Sequence, residues 1–194
     1  MTKAKALLWL LLALPGAAML AGLLGGEALA MDLLHPSGET SVRLMVLALL
    51  PGPLAEAFGA GRFLRGWLAI RRNLGVAAFA YALLHLALYI VDMGMLPAIL
   101  DELALPAIWT GWLALVVMLP PAAISFDTAM RAMKRRWSQV QYLVYPTLVL
   151  ALAHWLLLDW NWQPAALHLL PLIVAWALRA RARMWRHTSE RIVA

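Results

Sequence analysis

Cysteine is absent from all 194 residues. That excludes structural disulfides, iron–sulfur clusters and thiolate metal sites, and leaves the redox compartment open. Charge is scarce too, at 13% of the chain against roughly 25% in soluble domains. No H-E-x-x-H, Walker loop, dinucleotide glycine pattern or nucleophile elbow occurs, so catalysis by side chains alone has little to work with. Heptads, solenoid repeats and low-complexity linkers are missing, and no loop is long enough to fold separately. Residues 1–194 therefore read as one domain, and any nucleotide-binding module that works with it must be a separate protein.

Hydrophobicity is what the chain has in excess, at 64% against ~45–50% for a soluble protein. The composition predicts an all-α integral membrane protein. Six apolar stretches stand out, at about 6–25, 41–58, 74–91, 106–125, 140–158 and 165–180, and most meet the ~17–25 residues of a spanning helix. The net charge of +6 suggests nucleic acid until the charges are placed. Lys3 and Lys5 precede the first stretch, Arg62, Arg65, Arg71 and Arg72 separate the second from the third, and Arg131, Lys134, Arg135 and Arg136 separate the fourth from the fifth. Arg179, Arg181, Arg183, Arg186 and Arg191 follow the sixth, so fifteen of the sixteen Lys and Arg fall on one side. The opposite loops carry Glu27, Asp32, Glu39, Asp92, Asp101, Glu102 and Asp159. The positive-inside rule then puts both termini and the two basic loops in the cytoplasm, with the chain crossing the membrane six times among lipid. The charges follow the membrane, and no nucleic-acid partner is expected. At the N-terminus, Lys3, Lys5, an apolar run and Ala28-Leu29-Ala30 imitate a secretory signal. The run from Ala6 to Leu24 is nearer to a span than to a signal core, so a retained first helix is expected.

Two histidines lie deep in apolar stretches. His85 comes seven residues before Asp92 and His154 five before Asp159; at ~1.5 Å per residue both sit roughly 8–10 Å below the same surface. An ionisable side chain in a bilayer is costly and is a functional hypothesis by default. Two imidazoles at one depth on two helices suit the two axial positions of a haem iron. The competing reading is that each hydrogen-bonds a backbone carbonyl and holds helices together. Of the others, His35 falls in the first outer loop and His187 in the basic tail, both expected to be solvated, and His168 opens the last helix near the outer surface. The ten tryptophans, among them Trp67, Trp109, Trp112, Trp137, Trp155, Trp160, Trp162 and Trp185, cluster at span ends and read as interfacial anchors. Arg43 is the one basic residue out of place. Its fork suits a haem propionate; a headgroup or Glu39 are the alternatives.

The order of these features resembles a known family. Ser37-Gly38-Glu39-Thr40 precedes the second apolar stretch, Arg71-Arg72-Asn73-Leu74-Gly75 leads to Ala82-Leu83-Leu84-His85, and Ser125-Phe126-Asp127-Thr128-Ala129-Met130 with Trp137-Ser138-Gln139-Val140-Gln141-Tyr142-Leu143-Val144-Tyr145 leads to His154-Trp155. This is similar to the haem-binding membrane subunit of the periplasmic methionine-sulfoxide reductase system, a branch of the ferric-reductase-like transmembrane domains. The resemblance implies b-type haem on His85 and His154. It implies electrons from a cytoplasmic flavin reductase or the quinone pool, and delivery to a periplasmic molybdenum-cofactor reductase that repairs oxidised methionines. The family tends to carry a further histidine where this chain has Gln141. A carboxamide binds iron weakly, so one haem is expected, with a second in doubt. A bound flavin (FMN) or quinone would then bridge the inner side, where Arg71 and Arg72 suit an anionic flavin phosphate or propionate; topology and lipid headgroups are their plainer explanation. A stand-alone ferric or quinone reductase of the same architecture and a haem-free membrane scaffold are the rival readings.

Overall fold

The computed structural model describes residues 3–158 and 162–193, with side chains as far as Trp185. Asp159, Trp160 and the side chains of Arg186, His187 and Arg191 lie outside the described residues. The described chain is helical: α1 (Lys3–Leu24), α2 (Ala30–Leu49), α3 (Pro51–Phe58), α4 (Arg62–Met93), α5 (Leu96–Glu102), α6 (Pro106–Ala123), α7 (Asp127–Met133), α8 (Arg135–Gln141), α9 (Val144–Leu158) and α10 (Trp162–Val193). Six helical segments are long and apolar enough to cross a membrane, α2 with α3 and α8 with α9 each counting as one.

The helices run well beyond the apolar stretches. The second begins at Ala30 and not near 41, so Ser37-Gly38-Glu39-Thr40 and His35 are helical, where a loop is expected from polarity alone. The Asp32 carboxylate accepts from Leu29 N–H at 3.1 Å and helps start the helix. The hydroxyls of Ser37 and Thr40 donate back to the carbonyls of Leu34 and Pro36 at 2.8 and 2.7 Å, so these polar residues leave no orphan groups. Helix α4 starts at Arg62 and has 32 residues, about 48 Å at 1.5 Å per residue, more than the ~30 Å hydrocarbon core. Its first turns, with Arg62 and Arg65, therefore emerge from the apolar layer. It stops at Gly94, whose φ of +67° closes the helix in the left-handed conformation that glycine adopts without strain.

Prolines set the interruptions. Pro51 divides α2 from α3, and Pro146, lacking an N–H, sits just past the irregular Tyr142-Leu143 step between α8 and α9. Pro106 opens α6 at a position where no donor is needed.

The most extensive packing joins α2 to α4 and α6 to α9. Ser41 hydroxyl donates to Ala78 carbonyl at 2.8 Å and Trp67 indole to Leu47 carbonyl at 2.9 Å, tying the first pair together. Small residues at Ala77, Ala78 and Ala114 let backbones approach, and Met45, Leu88 and Leu172 fill the core. Outward-facing leucines of α1, such as Leu10 and Leu14, are exposed as a lipid-facing surface would be. Arg72 at the inner part of α4 pairs with Asp127 at the start of α7. The hydrogen bond and charge of Arg72 hold the Asp127 carboxyl below its ordinary range, so this tie persists until the solution is more acidic than a free aspartate would need.

Candidate functional site

His85 lies two turns before the end of α4 and His154 one turn before the end of α9. The fold brings them together, with ring centres 6.0 Å apart and planes at 83°. Each ring is locked through Nδ1 to a carbonyl of the neighbouring helix. His85 Nδ1 lies 2.9 Å from Leu34 O of α2, and His154 Nδ1 lies 2.6 Å from Ala107 O of α6. A carbonyl only accepts, so in both rings Nδ1 carries the proton and Nε2 keeps its lone pair for another partner. Metal-ligating histidines are commonly held this way, the ring N–H away from the metal donating to a carbonyl that fixes tautomer and orientation.

Glycines make the approach possible. A Cβ on Gly38 would stand 3.2 Å from His85 Nδ1, and one on Gly111 would stand 2.7 Å from His154 Nδ1. A cavity of about 440 Å³ opens among α2, α4, α6 and α9, lined by both histidines and both glycines. Met45, Met118 and Thr147 line its deep part, and Glu39, Asp92 and Glu102 its outer part. Its size falls in the range of small-molecule and cofactor sites, roughly 300–1,000 Å³.

The pair suits a metal in a planar macrocycle. A ring-centre separation of 6.0 Å leaves room for one metal atom between two imidazoles, whose bonds to a metal are about 2 Å long. Among the described residues no group of three or more His, Asp or Glu side chains converges, as a bare ion would ask of its protein ligands.

Arg43 donates from Nε to His168 Nε2 at 2.7 Å and from its terminal nitrogen to Glu39 at 2.7 Å. The Glu39 alternative is thus realised, while a propionate would have to compete for the same fork. His168 Nδ1 meets Pro164 O at 2.5 Å, so its Nε2 is the acceptor for Arg43. His35 is exposed but not isolated in a loop: its ring stands edge-on to Trp155, 5.6 Å between centres, and lines the cavity. Trp155, expected to anchor at the interface, is instead buried at 8% exposure. Arg71 is exposed, and Arg72 is committed to Asp127. Gln141 donates its amide to Pro121 O at 3.0 Å and Ser125 Oγ at 3.4 Å. It thereby caps the carbonyl end of α6, where helical donors have run out.

Reading the sequence missed Gly111, Thr110 and the two carbonyl partners. The available signal was a Ser-Gly and a Thr-Gly step, Ser37-Gly38 and Thr110-Gly111, each at the outer end of an apolar helix.

Residues 37–152 match the family described as ferric reductase like transmembrane component. Among curated proteins, the chain is 33% identical over 177 residues to the protein-methionine-sulfoxide reductase heme-binding subunit MsrQ of Xanthomonas axonopodis pv. citri (strain 306), covering 86% of this chain and 77% of that protein. It is 32% identical over 159 residues to the protein of the same description from Rhizobium meliloti (strain 1021), covering 78% and 71%. No solved structure matches.

Proposed function

The chain belongs to the ferric reductase like transmembrane component family, and from that premise we propose that it is a b-type cytochrome of the bacterial inner membrane. It serves as the haem-binding subunit of a methionine-sulfoxide reductase system, taking electrons from a cytoplasmic flavin reductase or the quinone pool. A periplasmic molybdenum-cofactor reductase receives them and repairs oxidised methionine. One observation carries this reading: His85 and His154, each with Nδ1 held by a carbonyl, face one cavity with ring centres 6.0 Å apart. Their neutral Nε2 atoms would hold the haem iron.

Haem supplies a one-electron carrier when bound. The residues of this chain hold and orient it. Leu34 and Ala107 carbonyls fix the imidazole tautomers, Gly38 and Gly111 clear room for the rings, and Met45 and Met118 keep the deep part of the cavity apolar. Attachment is non-covalent, since the chain has no cysteine for a thioether bond.

The haem count is one. Gln141, at the position of the family's inner histidine, is engaged in capping α6. Electrons entering from an anionic donor such as a flavin phosphate would meet exposed Arg71 at the inner end of α4, because Arg72 is held by Asp127. The test is the visible spectrum of the purified protein. A reducible low-spin b-type spectrum is expected, and His85→Ala or His154→Ala should abolish its low-spin form. Either a wild-type spectrum in both variants or no haem band in the parent would defeat the assignment, the latter favouring a scaffold.

A further inference from the structure

The two histidines are held by one device used twice. On α2, Leu34 O receives His85 Nδ1 at 2.9 Å and also Ser37 Oγ–H at 2.8 Å. On α6, Ala107 O receives His154 Nδ1 at 2.6 Å and also Thr110 Oγ1–H at 2.8 Å. In each case the hydroxyl comes three residues after the carbonyl, and the glycine that makes room for the ring comes one residue later. Ser37 is fully buried and Thr110 is 5% exposed, so neither hydroxyl has bulk water as an alternative partner. Sequence neighbours on a helix do not arrive at such a match through propensity alone. It requires the partner helix to cross at the same place in both halves.

We propose that Ser37 and Thr110 are positioning residues that raise the reduction potential of the bound haem by competing with the imidazoles for their carbonyl partners. This rests on the reading of His85 and His154 as haem ligands. A carbonyl oxygen has two lone pairs, and a hydroxyl donor at 2.8 Å withdraws density that would otherwise serve Nδ1–H. A weaker Nδ1–H···O bond leaves the imidazole less anionic in character and less able to stabilise ferric iron. The hydroxyls therefore favour the reduced haem. Two details rank them. Thr110 divides its single proton between Ala107 O and Pro106 O, each at 2.8 Å, whereas Ser37 directs its own to Leu34 O. Ser37 Oγ also lies 3.3 Å from His85 Nδ1, a longer contact that opposes the effect only slightly. Both residues act in the same direction, and Ser37 acts more strongly.

The experiment is a spectroelectrochemical redox titration of the full haem-loaded chain in detergent, with Ser37→Ala, Thr110→Val and the conservative pair Ser37→Thr and Thr110→Ser. At the ambient potential where the parent is half reduced, Ser37→Ala and Thr110→Val should raise the oxidised-to-reduced ratio. A hydrogen-bond gain that favours ferric over ferrous haem by about 0.5–1 kcal/mol corresponds to a factor of about two to five. The low-spin spectrum and haem loading should stay as in the parent, and the conservative variants should restore the parental ratio. Loaded variants with an unchanged ratio, or one shifted toward reduced haem, overturn the proposal. So does loss of loading in Thr110→Val that Thr110→Ser rescues, because the hydroxyl would then retain haem and not tune it. Absence of haem from the parent is a different failure, that of the ligand assignment itself.

Discussion

Clearance at single atoms decides whether the two histidines can occupy their places. Gly111 is the tighter of the two glycines: an added methyl would stand 2.7 Å from His154 Nδ1 and 3.1 Å from Cγ, while at Gly38 the nearest approach to His85 is 3.2 Å. Overpacking of this kind costs roughly 1–3 kcal/mol. Gly111→Ala is therefore expected to displace the His154 ring and remove most low-spin haem, whereas Gly38→Ala should retain the larger part. Absorbance of the two purified variants per mole of protein measures this, and the reverse order would show that the rings are not confined as described. Gln141 is a second case. Its amide serves Pro121 O and Ser125 Oγ, so Gln141→Leu should cost about 0.5–1.5 kcal/mol without changing haem content. Pyridine haemochrome titration should give one haem per chain in both the parent and Gln141→Leu; two in the parent would refute the single-haem reading. The Ser-Gly and Thr-Gly steps mark both glycines in the sequence but not what they spare, because those atoms belong to a helix 43 or 47 positions away.

At the level of elements, α1 is joined to the bundle by an unusual contact. No residue of α1 is buried. The Tyr81 hydroxyl of α4 accepts from Gly16 N–H at 2.8 Å and donates to Leu12 O at 2.9 Å. It thus bridges the two backbone groups that an ordinary i to i+4 hydrogen bond of α1 joins. Gly16 permits this, since a Cβ there would meet the Tyr81 ring at 3.3 Å. Tyr81→Phe should leave Gly16 N–H and Leu12 O to each other within α1, so the stability change stays below about 1 kcal/mol while α1 separates from α4. The chain has no native cysteine, so one engineered pair across α1 and α4 reports the contact by its cross-linking yield, which should fall several-fold. An unchanged yield would mean that apolar packing, not the tyrosine, docks the helix. The ends of the elements show why hydropathy underestimates helix length. Ser, Thr and Glu on α2 satisfy themselves by back-bonding or pairing with Arg43, and so the helix continues through residues that look like a loop.

On the scale of the whole molecule, the spanning helices alternate in direction, which makes α2 and α6 parallel to each other and antiparallel to α4 and α9. The two histidine-bearing pairs are thus alike in sense as well as in hydrogen bonding, and the cavity lies between them. The asymmetry of charge sets the expected orientation. Fifteen of sixteen Lys and Arg fall on one side of the spans in the sequence, from which both termini are expected in the cytoplasm. A phosphatase fused to the C-terminus should be inactive in the periplasm, and one fused in the outer segment between α4 and α6 should be active. The opposite pattern would invert the bundle and put the haem cavity on the donor side.

The sequence alone determined the class of the molecule. Apolar length and the placement of charge are properties of consecutive residues, and a bilayer reads them one segment at a time. It also marked His85 and His154, because a polar group in a long apolar run is visible without any neighbour. What occupies Arg43, Arg72 and Gln141 was decided by the tertiary structure, as was the burial of Trp155. Their partners Glu39 and His168, Asp127, and Pro121 with Ser125 are competing donors and acceptors brought within 3.5 Å by helix packing. The same holds for the carbonyls of Leu34 and Ala107. Every residue carries a backbone carbonyl, and only the crossing of two helices selects which of them holds an imidazole.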